Sequence, residues 1–189
     1  VVVPIWRGGD PKDEILAAAS DATGRLRATG LSVKLDDRDT MSPGAKYHEW
    51  ELAGVPLRIE IGPKDVAKGS VVCVRRTDRG KEFVSMEQLA TRVPTLLAEI
   101  QRQLFEAAVE RRERATYPVD DFDDFKRKVE DPGGFLLAHW CGSAECEQQV
   151  KNSTRATLRC VAFDQPDERG RCIVCGRPSA RRAHFAKAY

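Results

Sequence analysis

Four cysteines in two close pairs constrain this chain more than any other feature. Cys141 and Cys146 are separated by four residues, Cys172 and Cys175 by two, and 25 residues lie between the pairs. Structural zinc takes four soft ligands at tetrahedral corners, and two thiolate knuckles brought together by the fold supply them. Gly142 and Gly176 follow a ligand directly, where a backbone wrapping a metal is crowded, and Arg177-Pro178 ends the second knuckle. Four protein ligands leave no open position, so such a Zn2+ holds structure and does no chemistry. The competing reading is a set of unliganded buried thiols. A redox role for Cys172 and Cys175 is weaker, because no helix follows them to lower a thiol pKa. Cys73 and Cys160 each sit in an apolar, strand-like run and read as ordinary core.

A second constraint comes from residues 54–79, which read as two β-strands joined by a turn. Val55, Leu57, Ile59 and Ile61 alternate with Arg58 and Glu60, so apolar groups share one face and charges the other. After a Gly62-Pro63 turn and a loop ending at Gly69, Val71 to Val74 resume the strand pattern. Guanidinium and carboxylate groups side by side on a sheet suit phosphates and the Watson–Crick edges of splayed-out bases. A solvated face with scattered ion pairs is the plainer alternative.

Around this stretch the pattern is α/β. Residues 1–6 read as a buried parallel strand. Asp10 is then an N-cap, with Pro11 in the first turn of a helix whose face is Ile15, Leu16, Ala19, Ala22 and Leu26. Gly30 stops it, and residues 31–35 form a second strand, giving a βαβ unit with a parallel sheet. Asp36-Asp37-Arg38-Asp39 follows that strand, either as a metal-binding carboxylate pair or as a self-paired polar turn. Ser42-Pro43-Gly44 opens a short helix closed by Gly54, with His48 on its surface. A strand at residues 81–84 precedes a capping-box start at Ser85, and a long amphipathic helix runs to the Glu110–Arg114 charges, with Pro94 in its first turn. A composition change at Thr116 marks a boundary, giving domains 1–115 and 116–189. Residues 120–125 then start a short helix, and residues 135–140 a strand that runs into Cys141.

The formal net charge is only +2, so any nucleic-acid contact must be local and shaped. No apolar run approaches the ~18–20 residues needed to span a bilayer, so no membrane partner is expected. Six cysteines without secretory features indicate a reducing, cytoplasmic setting. Val1 in place of Met is read as the start of a piece of a longer protein. The chain has no Gly-rich phosphate loop, GxSxG or HExxH, hence no visible catalytic site.

With those residues in view, the chain resembles the C-terminal half of prolyl-tRNA synthetases of the archaeal and eukaryotic type. The resemblance rests on LDDRD (residues 35–39), PGAKYHEWELAGVPLRIEIGPKD (43–65), the spaced cysteines, TLRC (157–160) and FAKAY (185–189). It implies a class II anticodon-binding domain, a mixed five-stranded sheet flanked by helices, followed by a small α/β zinc-binding C-terminal domain. It implies recognition of the guanines in the tRNA-Pro anticodon stem-loop by Glu51, Arg58, Asp65 and Lys81, with Lys64 as an addition. It implies ATP and Mg2+ only through a catalytic domain whose motifs do not occur in these residues, and a homodimeric full-length ligase. The terminal Tyr189 carboxylate would lie toward that catalytic domain. A stand-alone tRNA-binding accessory module with a structural zinc is the alternative. A zinc-dependent transcription regulator is disfavoured, because no basic helix suits the major groove.

Overall fold

The computed structural model describes residues 1–187; the expectation for Tyr189 lies outside them. The chain divides into two compact units, Val1–Glu106 and a second beginning at Ala107. The division falls inside a long helix, ahead of the composition change at Thr116.

The first unit opens with strand β1 (Val2–Pro4), helix α1 (Lys12–Ala28) and helix α2 (Pro43–Leu52). Strand β2 (Leu57–Ile61), helix α3 (Pro63–Lys68), strands β3 (Ser70–Arg75) and β4 (Lys81–Ser85) and helix α4 (Leu89–Arg114) follow. The sheet order is β1-β2-β3-β4, with β1 parallel to β2 and the other pairs antiparallel. This is a mixed sheet flanked by helices. One face buries Leu57, Ile59, Cys73 and Val84 against Ile15, Ala19, Ala22 and Leu26 of α1 and Val93, Leu96 and Ile100 of α4.

The expected fifth strand at residues 31–35 is reduced to one parallel bridge between Leu35 and Val2. The cause is local. Val2 uses its amide on the Lys34 carbonyl (2.8 Å) and its carbonyl on the Asp36 amide (2.9 Å), and the next donor position of β1 is Pro4, which has no N–H to extend the ladder. At the start of α1, Asp10 is not the cap: its carboxylate accepts from the Arg7 amide (2.7 Å) to close the preceding turn, and Pro11 takes the N-cap position. The link from β2 to β3 is α3 and not a plain turn. Pro63 fits its first position, Asp65 accepts from the Gly62 amide (2.9 Å), and Gly69 ends it with φ +60°. Pro94 is the sixth residue of α4, one turn deeper than expected.

The second unit holds β5 (Thr116–Pro118), α5 (Phe122–Glu130), β6 (Phe135–His139), α6 (Ala144–Thr154), β7 (Ala156–Cys160), the short β8 (Gly170–Arg171) and β9 (Pro178–Ser179), and β10 (Arg182–Lys187). Its main sheet runs β5-β6-β10-β7, and β8 pairs with β9. Phe185 on β10 meets Phe125 of α5 edge-on at 5.6 Å, within a core that includes Val129, Leu136 and Val150. Cys73 is buried in the first core as expected, but Cys160 is exposed at the end of the edge strand β7. Gly134 has φ +93°, and an added Cβ would overlap the Ala115 carbonyl, which accepts from the Phe135 amide (2.7 Å). Gly134→Ala is therefore expected to cost about 1–3 kcal/mol, read as a fall in the urea midpoint.

Candidate nucleic-acid interface and metal centre

The outer face of the first sheet is built by register. Arg58, Val74 and Lys81 lie in one row across β2, β3 and β4, and Glu60, Val72 and Phe83 in the next. Partners in a row point to the same side, so these charges share a face with Phe83, which is 71 % exposed. Arg58 is held from three directions. Its Nε donates to Glu60 (2.9 Å), its Nη1 to Glu51 (3.2 Å), and its guanidinium stacks 3.8 Å from the Tyr47 ring centroid. Tyr47 and Glu51 are four apart on α2, one turn of the same helix face. Burial, then the Glu60 carboxylate, pushes the Tyr47 hydroxyl up to about 12, so it stays protonated at neutral pH.

Two of the five guanidinium N–H groups are used by these carboxylates, and the Arg58 side chain as a whole is 13 % exposed. Glu51 is the more accessible partner, and its other oxygen lies 3.8 Å from Arg79. Of the five residues expected to read bases, Glu51 and Arg58 are in contact, and Lys81 is exposed on the same face, two strand spacings (about 10 Å) away. Lys64 and Asp65 lie apart from these, on α3 beyond the carboxyl end of β2, where the Asp65 carboxylate also ties down Gly62. The arrangement is a spread platform and not a single pocket, which suits several unstacked bases. Tyr47, Glu60 and Phe83 were not singled out from sequence. The helical spacing from Tyr47 to Glu51 and the strand spacing from Lys81 to Phe83 were the available signals.

Behind this platform sits a buried polar hub. The Asp36 side chain, 1 % exposed, accepts from Arg38 Nε and Nη2 (2.8 and 2.7 Å) and from Trp50 Nε1 (2.7 Å). Lys46, itself buried, donates from Nζ to the Asp36 carbonyl (3.1 Å). Residues 36–39 therefore form the self-paired polar turn. Asp36 pins the first and last turns of α2, the helix that carries Tyr47 and Glu51. The Arg38 guanidinium, then Trp50 and Lys46, hold its carboxyl well below the usual carboxylate range despite burial.

In the second unit, Cys141, Cys146, Cys172 and Cys175 place their sulfurs within 4.8 Å of one another. Cys141 lies 3.7 Å from Cys146 and 3.6 Å from Cys175. A tetrahedron with 2.3 Å metal–sulfur arms has edges of about 3.8 Å, whereas a disulfide needs about 2.05 Å. The four thiols thus fit one tetrahedral metal ion. Gly142 and Gly176 both take positive φ (+84° and +72°), the conformation each knuckle turn requires. Below the knuckles, the His139 carbonyl accepts from the Ile173 amide (2.9 Å), and Gly170 packs flat against the His139 ring. Arg177 donates from Nε to Cys175 (3.3 Å) and from Nη2 to Cys141 (3.5 Å). That cation, with its backbone amide, draws the Cys175 thiol down to about 6, while burial pushes Cys146 up to about 12. Arg177 supplies the pKa-lowering group that no helix provides here. Among the described residues, no helix is long and apolar enough to cross a membrane.

Comparison with known proteins matches both parts of the chain to known families. The anticodon binding domain family matches residues 1–96, and the family described as prolyl-tRNA synthetase, C-terminal, matches residues 122–189. A proline–tRNA ligase of Christiangramia forsetii is 45 % identical over the whole chain, and one of Roseiflexus castenholzii 43 %. The chain spans 38 % and 39 % of their respective lengths. Among solved structures, the prolyl-tRNA synthetase of Cryptosporidium parvum complexed with L-proline and AMP superposes with a TM-score of 0.89 at 30 % identity, covering all of this chain and 40 % of that one.

Proposed function

Because the chain belongs to the anticodon-binding domain family and continues into the prolyl-tRNA synthetase C-terminal domain, we propose that it is the tRNA-reading part of a proline–tRNA ligase. The observation that carries this reading is the Arg58 clamp: a guanidinium fixed by Glu51, Glu60 and Tyr47 at the outer face of the sheet, largely covered itself and next to the more accessible Glu51 carboxylate. Guanine offers N1–H and N2–H to a carboxylate, and O6 and N7 to a guanidinium. Glu51 and Arg58 are one such complementary pair for an unstacked guanine of the tRNA-Pro anticodon stem-loop. Asp65 and Lys64 on α3 and Lys81 on β4 serve neighbouring groups, and Phe83 gives a base a face to stack on. The functional boundary lies at residue 116, and beyond it a structural Zn2+ sits in the four-cysteine cluster.

In the full-length ligase, ATP and Mg2+ act in a separate catalytic domain, which activates proline as an adenylate before transfer to the tRNA end. The role of these residues is binding and positioning, which act through proximity. The whole enzyme would be a cytoplasmic homodimer.

The test is a binding comparison of proline tRNA transcripts with the anticodon guanines kept or changed. The chain is expected to prefer the guanine-containing transcripts. Arg58→Gln is expected to cut that preference by about 1–3 kcal/mol for one guanine. An Arg58→Gln protein that discriminates like wild type would remove Arg58 from the interface.

A further inference from the structure

The second unit is polarised in charge. Residues 107–150 contain six basic and ten acidic side chains, whereas residues 151–187 contain nine basic and three acidic. Two of those three acids are already engaged, Asp167 by Arg181 and Glu168 by Arg182, and Lys187 is paired with Glu130. Lys151, Arg155, Arg159, Arg169 and Arg171 are all exposed and have no carboxylate within 4 Å among the described residues. Where Arg159 and Arg171 bond at all, they bond backbone carbonyls, of Ala186 (3.2 Å) and Gly176 (3.2 Å), which leaves their charge uncancelled.

These cations follow the fold in order. Lys151 lies in the last turn of α6, Arg155 is its left-handed C-cap, and Arg159 is near the end of β7, the outermost strand of its sheet. Arg155 and Arg159 are about 13 Å apart along an extended chain. Arg159 is offset by one from Leu158, which packs on the core, so it projects from the opposite side. The segment after β7 carries the fully exposed Phe163 and leads through Arg169 to β8, which leaves the β7 edge: Gly170 lies against the His139 ring on β6, and Arg171 bonds the Gly176 carbonyl. Isolated surface charges are normally balanced by neighbours. Unbalanced cations at the end of α6 and along the edge strand β7 (Lys151, Arg155 and Arg159), followed in the chain by an exposed aromatic, have the character of a track for a phosphate backbone.

We infer that the β7 edge, from Lys151 through Arg155 to Arg159, is a second RNA-contacting surface that holds the sugar–phosphate backbone of the same tRNA without reading its bases. This rests on the chain being a tRNA binder, and it adds a contact site distinct from the anticodon-reading face. A backbone contact contributes affinity that is independent of sequence and falls with salt, whereas base contacts discriminate.

The experiment uses the full chain and the triple variant Lys151→Gln, Arg155→Gln, Arg159→Gln, none of which touches a cysteine sulfur. Affinity for proline tRNA transcripts is measured between 50 and 200 mM salt. The variant is expected to bind about 10- to 100-fold more weakly at 100 mM salt, equally for guanine-containing and guanine-changed anticodons. Its log–log salt slope should be smaller in magnitude by about 2. Circular dichroism and metal content equal to wild type exclude misfolding, and the single variants Lys151→Gln and Arg159→Gln should each lower the slope by about 0.7–0.9. Unchanged affinity and slope in all three proteins would overturn the inference. So would a loss confined to the guanine-containing transcripts, which would make the edge part of the reading face. Wild-type protein that cannot tell the two anticodons apart would instead overturn the tRNA-Pro reading itself.

Discussion

Replacing Cys172 with serine is expected to empty the metal site and unfold the second unit. Wild-type protein should carry about one zinc ion per chain by elemental analysis, and Cys172→Ser close to none. The expected size follows from how such sites work: apparent binding energies of structural zinc are about 10–16 kcal/mol at neutral pH, and that energy is folding energy. Cys172 is buried, and its amide donates to the Arg177 carbonyl (2.8 Å), so it is both ligand and part of the knuckle turn. Residues 141–146 and 172–175 come from well-separated stretches, and without a bridging ion four converging thiols have no attraction to replace it. Near-ultraviolet circular dichroism and limited proteolysis should report loss of fixed packing around Trp140 and Phe185. The matched control is Cys160→Ser, which should keep its metal, since Cys160 is exposed and lies outside the cluster. Wild-type protein purified with no bound metal and a fully protected second unit would refute the zinc assignment.

The second large effect is expected at Asp36. Asp36→Asn keeps the shape but replaces a carboxylate that accepts from Arg38 and Trp50 while facing the buried Lys46. Removing one partner from a buried charged network costs about 3–5 kcal/mol, because the remaining charge is left without compensation. The effect has a defined pH window. The folded-state pKa of Asp36 is depressed below its unfolded value near 3.9, so its stabilising contribution is complete above about pH 5 and disappears as pH falls through and below 4. Denaturant midpoints of wild type and Asp36→Asn should therefore lie far apart at pH 7 and converge below pH 4. A gap that stays constant across this range would assign the loss to packing alone. Anticodon preference should fall as well, because α2 sets Tyr47 and Glu51 around Arg58.

Much of this was legible in the residues. The alternation of Leu57, Ile59 and Ile61 against Arg58 and Glu60 placed β2 and its two faces correctly, because a two-residue period needs only five residues to declare itself, although Glu60 itself is buried. The Ser42-Pro43 start of α2 was equally readable, and Ser42 Oγ does accept from the Ala45 amide (3.3 Å). The spacing of the cysteines was enough to bring their sulfurs together. What failed did so for physical reasons. Residues 63–68 are too short for a helical period, so Pro63 and Asp65 looked like a turn although both are helix-start residues. Residues 31–35 had strand composition, but Pro4 has no N–H at the next ladder position of β1, so the pairing stops after one bridge. Cys160 follows the core residue Leu158 at strand spacing, but the ladder to β10 shifts between His184 and Phe185, and the edge position leaves the thiol exposed. Lys46 gave no sign of burial, because the acid and the carbonyl that receive it come from a different segment. The Arg58 clamp was half legible: Glu51 was named, whereas Tyr47 and Glu60 were treated as neighbours and not as the groups that fix the guanidinium.

The four-cysteine cluster also has a consequence for synthesis on the ribosome. Its two halves are translated far apart in time, since Cys175 is made 34 residues after Cys141. Nascent or prematurely terminated chains that stop before Cys172 hold only two of the four thiolates, too few to close a tetrahedral site. Capture of an ion by all four thiolates would therefore require translation to have passed Cys175.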